Sequence, residues 1–408
     1  MKYFLKDLLL SYAVHFTAKG QAMAHSAALK KPEISEQSCK SGESVLLWVS
    51  TLNWLNRRTC GFLILVATSI LPLHGKAQRP HKQVSKEVFS TKPKQHTEWL
   101  TMVRDTSYTN YSDYEKNLKY FPFIQLVPDS GITGVIEQRN LVYANLKGRK
   151  LHIDAFLPFQ NKRRATPLPA ILIIHGGGWR SGDRSQHIPL AQHLAANGFA
   201  CFTVEYRLST EAFFPAAVYD LKAAVRWLRK NKKRFNIDGH KINALGFSAG
   251  GELAAFLAMT NGLQKFEGQE GESHVSSKVD AVIDIDGTLS FVHPQSSETQ
   301  HPDKIGASVW WLGYPRTQRR DLWEAASPLT YATNNTVPFI FLNSSLKRMH
   351  AGRDDFKKLM DAKGVRVKII SFADTPHSFC LYRPWFGKVV AEITGFLKEI
   401  YKSTYPRL

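Results

Sequence analysis

From about residue 135 onward, short apolar runs alternate with longer segments whose apolar positions recur every three or four residues. Leu141–Leu146 and Leu151–Leu157 flank Lys147-Gly148 and predict a β-hairpin. Ala170–Ile174 is continuously apolar, as expected of a strand buried on both faces of a parallel sheet. Helical spacing over 187–196 precedes the strand Ala200–Val204. In 216–230, Val218, Leu221, Val225 and Leu228 fall on one helical face, with Pro215 suited to the first turn. Ile242–Phe247, Val279–Ile285, Val337–Leu342 and Val367–Phe372 read as further strands, and a last helix spans about 387–402. This alternation predicts one α/β domain over 135–408, with a mostly parallel central sheet covered by helices on both faces. The stretch 287–330 exceeds what a simple crossover needs and is expected to form a small insertion over the C-terminal edge of the sheet, where ligands bind in such folds.

The first hundred residues behave differently. Residues 1 to about 55 show neither sustained periodicity nor a motif. Arg57-Arg58 then precede an apolar run from Cys60 to Leu73, followed by the small residues of Gly75-Lys-Ala77. A basic flank, a short apolar core and small residues before a cut make up a secretory signal peptide, here over about 55–77. The run is shorter than the roughly 20 residues a bilayer span needs, although a membrane anchor or a buried helix is the competing reading. An internal position is unusual for such a signal, so translation is expected to start near residue 55, with the upstream residues an extension. Residues 78–134 read as a flexible lead-in, polar and basic at first and poor in apolar periodicity.

Composition narrows the picture. With 43% hydrophobic and 22% charged residues, the chain has material for a sizeable core and is neither wholly disordered nor a disulfide scaffold. Its cysteines, Cys39, Cys60, Cys201 and Cys380, are too few and scattered for a disulfide framework and lack the close spacing of a zinc site. Cleavage after Ala77 leaves Cys201 and Cys380, whose pairing the sequence leaves open. The excess of 54 Lys+Arg over 34 Asp+Glu gives a net charge of +20, but the cations are spread along the chain. The densest run, Arg226 to Arg234, closes a predicted helix and reads as its solvated face. A nucleic-acid partner is therefore not expected, and attraction to acidic surfaces or polyanionic polymers is the better use of the excess.

Three motifs carry chemistry. Gly246-Phe-Ser-Ala-Gly250 sits between a predicted strand and the helical run Glu252–Ala258. In that context the glycines permit a sharp turn that exposes Ser248 as a nucleophile and leaves the amide of Ala249 at a helix N-terminus. His175-Gly-Gly-Gly-Trp179 follows another strand, and the amides of Gly177 and Gly178 can complete an oxyanion hole beside Ala249, with His175 holding the loop. Asp374-Thr-Pro-His377 follows the last strand. Of 15 histidines, His377 alone stands there in the required order after Ser248, which makes it the expected base. Trp179, Trp310 and Trp311 are candidate substrate contacts; for the last two a core role is equally open.

Together HGGGW, Tyr206-Arg-Leu, GFSAGG and the terminal histidine resemble the α/β-hydrolase superfamily, more narrowly its bacterial feruloyl- and acetyl-esterase-like branch related to hormone-sensitive lipase. The resemblance covers roughly 135–405. It implies an exported serine esterase (periplasmic or extracellular) acting without metal or cofactor, and substrates such as acyl groups on plant polysaccharides. The family usually places the triad acid a few residues after the strand that here ends at Leu342, but no carboxylate follows until Asp354 and Asp355. Asp354 is the first candidate and Asp286, at the end of the preceding strand, the alternative; Asp374 is too close to His377 along the chain to reach its ring. The acid would fix the imidazole tautomer and stabilise the imidazolium. A prolyl-type exopeptidase on the same fold and a non-catalytic hydrolase-fold binding protein are the competing functions.

Overall fold

A computed structural model describes residues 94–159, 166–296 and 304–402; the expected signal peptide over 55–77 lies outside them. The first elements are α1 (Asn110–Leu118) and the two-residue β1 (Gln125–Leu126). The predicted hairpin follows as β2 (Val135–Leu146) and β3 (Arg149–Pro158), paired antiparallel. Next come β4 (Leu168–Ile174), α2 (Ile188–Ala196), β5 (Ala200–Val204), α3 (Ala216–Lys230), β6 (Ile237–Phe247) and α4 (Ala249–Met259). The C-terminal half adds β7 (Val282–Ile285), α5 (Ala307–Leu312), α6 (Arg320–Ala325), β8 (Phe339–Asn343), α7 (Arg353–Ala362), β9 (Val367–Ser371), β10 (Tyr382–Arg383) and α8 (Phe386–Lys402).

Among the described residues the main sheet has the order β2-β3-β5-β4-β6-β7-β8-β9. Pairing is parallel from β5 through β4 to β9, while β2 and β3 add an antiparallel edge. The continuous apolar run of β4 explains its central place. Ala170, Leu172 and Ile174 point into one core, against Val218, Leu221 and Val225 of α3 and Leu253 and Phe256 of α4. Ile171 and Ile173 point into the other, against Leu190 and Leu194 of α2 and Val389 and Ile393 of α8. Each large aliphatic side chain so buried contributes about 1.5–3 kcal/mol, so the two helical layers hold the sheet flat-on from both sides. All parallel strands therefore deliver their C-terminal ends to one edge, where β4, β6, β7 and β9 each feed a loop of the candidate site.

Three expectations need correction. Within the lead-in, α1 is closed by a reciprocal cap between Thr109 and Ser112, with both bonds at 3.0 Å, and β1 pairs with β10 beside the last helix. No residue of α1 is fully buried; only Tyr114 and Leu118 pack partly against the core, too few apolar positions to stand out in the sequence. The insertion forms around α5 and α6, but Trp311 and Trp323 are fully buried in the core. The cationic run is only partly solvated: Arg226 bonds Glu267 and Glu270 from a buried position, and Arg229 reaches the carbonyls of Gly239, Ser276 and Lys278. Those side chains anchor the loop between α4 and β7. Cys201 and Cys380 are both buried and unpaired with each other, and burial pushes their thiols up.

Candidate active site

Ser248 stands between β6 and α4 at φ 57°, ψ −121°, a strained conformation for a residue with a side chain. The turn is possible because Gly250 packs against β4: a Cβ there would lie 2.2 Å from the carbonyl oxygen of Ile174. The Ser248 amide donates to Ile285 of β7 at 2.8 Å, which anchors the turn to the next strand. Its hydroxyl is thereby held out over the edge of the sheet.

His377 reaches it from the loop after β9. Nε2 lies 2.8 Å from Ser248 Oγ, and Nδ1 lies 3.0 Å from Oδ2 of Asp286. Asp286 ends β7, is fully buried, and has φ 52°, a second strained residue in the same site. Its other oxygen accepts the Ser344 amide at 2.8 Å and the Asn343 side-chain amide at 3.3 Å. The choice of Asp354 is thus overturned. It lies on α7 with its side chain 67% exposed, paired with Arg353, whose guanidinium turns back to Asn343 at 2.8 Å. The carboxylate that meets His377 comes from one strand earlier, and β8 itself ends on an amide, Asn343. Asp374 is exposed on its own turn.

The glycine loop borders the serine as expected. Gly177 has φ +118°, and a Cβ there would sit 2.2 Å from the carbonyl oxygen of Ser181, so only glycine fits. Gly177, Gly178 and Ala249 line one cavity of about 440 Å³ together with Ser248 and His377. His175 is buried with its ring stacked on Tyr206 at 4.4 Å, and Nδ1 lies 2.8 Å from the Gly176 carbonyl. Burial pushes its pKa down to about 4, consistent with a neutral ring that holds the loop. The Gly176 amide donates to Gln186 at 2.7 Å, and the Gln186 carbonyl in turn accepts from Asn110 of α1 at 2.9 Å.

The tryptophans separate. Trp179 borders the cavity, 4% exposed, at φ 56°. Trp311 stacks on it from behind at 4.7 Å and is core, while Trp310 lies under Arg180 and against Trp99. Neither Trp310 nor Trp311 lines the cavity, so their role as substrate platforms is withdrawn. Among the lining residues that sequence reasoning missed are Tyr108, Asp113, Glu252 and Arg348. Asp113 accepts hydrogen bonds from Ser378, Asn117 and, at 2.5 Å, Tyr382, which ties α1 to the loop that carries His377. Among the described residues no cluster of His, Cys, Asp or Glu could hold a metal ion, and no helix is long and apolar enough to cross a membrane.

Comparison with known proteins agrees with this geometry. The family model described as BD-FAE matches residues 153–348, a span that includes Ser248 and Asp286. The chain is 28% identical over 268 residues to the probable carboxylic ester hydrolase LipM of Mycobacterium tuberculosis, covering 63% of this chain and 60% of that protein. Its identity to esterase LipC of the same organism is 27% over 244 residues, or 58% and 60% of the two chains. The chain thus spans about 60% of the length of these curated relatives. Among solved structures, a truncated carbohydrate esterase from gut microbiota superposes with a TM-score of 0.55 at 25% identity, covering 67% of this chain and 98% of that one. The propionate-bound esterase Est2 of Thermogutta terrifontis does so with a TM-score of 0.53 at 25% identity, covering 66% and 95%. The sheet, the serine turn and these likenesses together support an α/β-hydrolase fold of the esterase branch related to hormone-sensitive lipase.

Proposed function

We propose that the protein is a serine esterase that works through an acyl-enzyme formed on Ser248. One observation carries this reading: a single imidazole spans Ser248 Oγ at 2.8 Å and Asp286 Oδ2 at 3.0 Å. His377 takes the hydroxyl proton as Oγ attacks the ester carbonyl, and the negative charge moves to the carbonyl oxygen under the amides of Gly177, Gly178 and Ala249. Collapse breaks the bond to the alcohol, which leaves with the proton from His377. Water then attacks the acyl-serine by the same route and releases the acid. Asp286 stays ionised and holds the Nδ1 proton throughout.

The cavity favours a short acyl group on a polar alcohol. Beside the oxyanion amides, space is narrow: a Cβ on Gly178 would lie 3.0 Å from that of Ala307, and Trp179 closes the wall. The leaving alcohol must sit near His377, which protonates it; Asp113, bonded to the adjacent Ser378, and its neighbour Tyr108 lie on that side, and Arg348 also lines the cavity. A carboxylate, a phenol and a guanidinium suit a polyhydroxylated alcohol, such as an acylated sugar, better than a lipid. The structural likeness to a carbohydrate esterase points the same way. Export by the 55–77 signal belongs to the same proposal and is supported by Arg57-Arg58 and the apolar run behind them.

Turnover of p-nitrophenyl acetate by the wild-type protein, lost in Ser248→Ala, tests the chemistry; equal turnover by both would overturn it. Acetylated xylan, acetylated pectin, methyl ferulate and proline-terminated peptides then rank the substrate, and preference for the peptides would favour the exopeptidase reading. N-terminal sequencing of protein recovered outside the cytoplasm should find Gln78 first.

A further inference from the structure

The oxyanion amides come from two elements, the glycine loop after β4 and the N-terminus of α4, and nothing in the backbone ladder joins Trp179 to α4 directly. One side chain does. Glu252 lies one turn beyond Ser248, is fully buried, and its Oε2 accepts the indole N–H of Trp179 at 3.0 Å. The same indole is stacked on Trp311 and meets Phe291 edge-on at 5.4 Å, so the ring has little room to find another partner. The Trp179 carbonyl accepts the Ser209 amide at 2.7 Å, which fixes the backbone end of the residue.

We propose that Glu252 is a positioning residue that locks the Gly177–Trp179 loop to the helix bearing Ala249, so that amides from two elements converge on one oxyanion. The inference rests on the esterase reading of Ser248 and adds a residue to which no chemistry has been assigned. A buried carboxyl is an odd choice for such a lock. Among the described residues no cation is paired with Glu252; Asp284 on β7 and Tyr206 after β5 are its titratable neighbours, and His377 lines the same cavity. Burial, with Asp284 adding to it, holds the Glu252 carboxyl in its neutral form well above the ordinary carboxylate range. Oε1 has no hydrogen-bond partner among the described residues, so ionisation would leave a bare charge there. That charge would oppose the oxyanion, and the lock therefore carries an alkaline limit: the rate falls as pH rises through the Glu252 pKa.

The test compares wild type, Glu252→Gln and Glu252→Leu with p-nitrophenyl acetate across pH, and follows the indole N–H resonance of Trp179 by NMR, assigned through Trp179→Phe. A glutamine carbonyl can still accept the indole proton but cannot ionise. Glu252→Leu is expected to shift the resonance and lower kcat about 10-fold or more with KM little changed, because the loop donors leave their aim. Glu252→Gln should restore the resonance and most of kcat, and should keep its rate at alkaline pH where wild type declines. An unmoved resonance in Glu252→Leu, or the wild-type alkaline decline in Glu252→Gln, would overturn the proposal. Should Glu252→Leu fail to fold, the glutamine profile still decides. Absence of any Ser248-dependent turnover would sink the esterase reading instead, and the indole resonance would then judge the lock by itself.

Discussion

Asn343 donates its side-chain amide to the carboxylate of Asp286 across the ends of β8 and β7, at 3.3 Å. The last residue of β8 thus supports a carboxylate that stands at the end of the neighbouring strand, nearer the nucleophile. Asp286→Asn should lower kcat about 10⁴-fold, since an amide favours the wrong imidazole tautomer. Asp354→Asn should stay within about 2-fold of wild type, because that carboxylate is exposed and pairs only with a neighbouring arginine. Steady-state rates on one activated ester decide; a large loss in Asp354→Asn with Asp286→Asn intact would reverse the assignment.

Gly177→Ala should damage rate more than affinity. Its Cβ would meet the Ser181 carbonyl oxygen at 2.2 Å, in a backbone region alanine rarely adopts. Losing one well-aimed oxyanion donor costs about 10²–10³-fold in kcat, which is the expected range. An unchanged kcat with a raised KM would instead make the loop a simple binding wall.

Asp113→Ala should loosen the histidine loop from α1, since Ser378, Asn117 and Tyr382 all donate to that carboxylate. We expect a kcat loss of about 10-fold on p-nitrophenyl acetate and a larger loss on acetylated oligosaccharide, because Asp113 also borders the alcohol end of the cavity. Equal, negligible effects on both esters would deny α1 any part in the site.

Asp284 links pH to stability. Burial and the neighbouring Asp286 push its pKa well above the ordinary carboxylate range, so the folded protein keeps a proton that the unfolded chain releases. With more protons bound in the native state, stability falls as pH rises from the ordinary range towards the raised value, by up to about 1.4 kcal/mol per pH unit. Asp284→Asn, which can still accept the Gly287 amide (2.6 Å in the native protein), should flatten this slope above the ordinary carboxylate range in urea unfolding. An unchanged slope would mean that Asp284 is charged in the fold.

Much of this was legible in the sequence, for identifiable reasons. The strand Ala200–Val204 and the helix of 216–230 coincide with their apolar patterns, because each faces the core on every strand position or along one clear stripe. Ser248, His377 and the glycine loop were legible because their turns demand particular residue types. The choice between Asp286 and Asp354 was not, since both follow strands that end on the same edge, and only the fold shows Asp286 directly at a strand end beside the imidazole and Asp354 turned out on α7. α1 escaped notice because only Tyr114 and Leu118 of its nine residues pack against the core, and two apolar positions make a faint signature. Trp311 and Arg226 misled for a shared reason: composition does not tell which side of a surface an aromatic or a cation occupies, and both are inside.

The short stretch from Ser345 to His350 gains a freedom from this arrangement. Ser344, just before it, touches the acid, and Ser345 holds the Thr375 amide at 3.2 Å, while Arg348 and Met349 face the cavity. Exchanges from Leu346 to Met349 can therefore remodel the vestibule with the proton relay left alone, so divergence towards new alcohols has an open route through this short span.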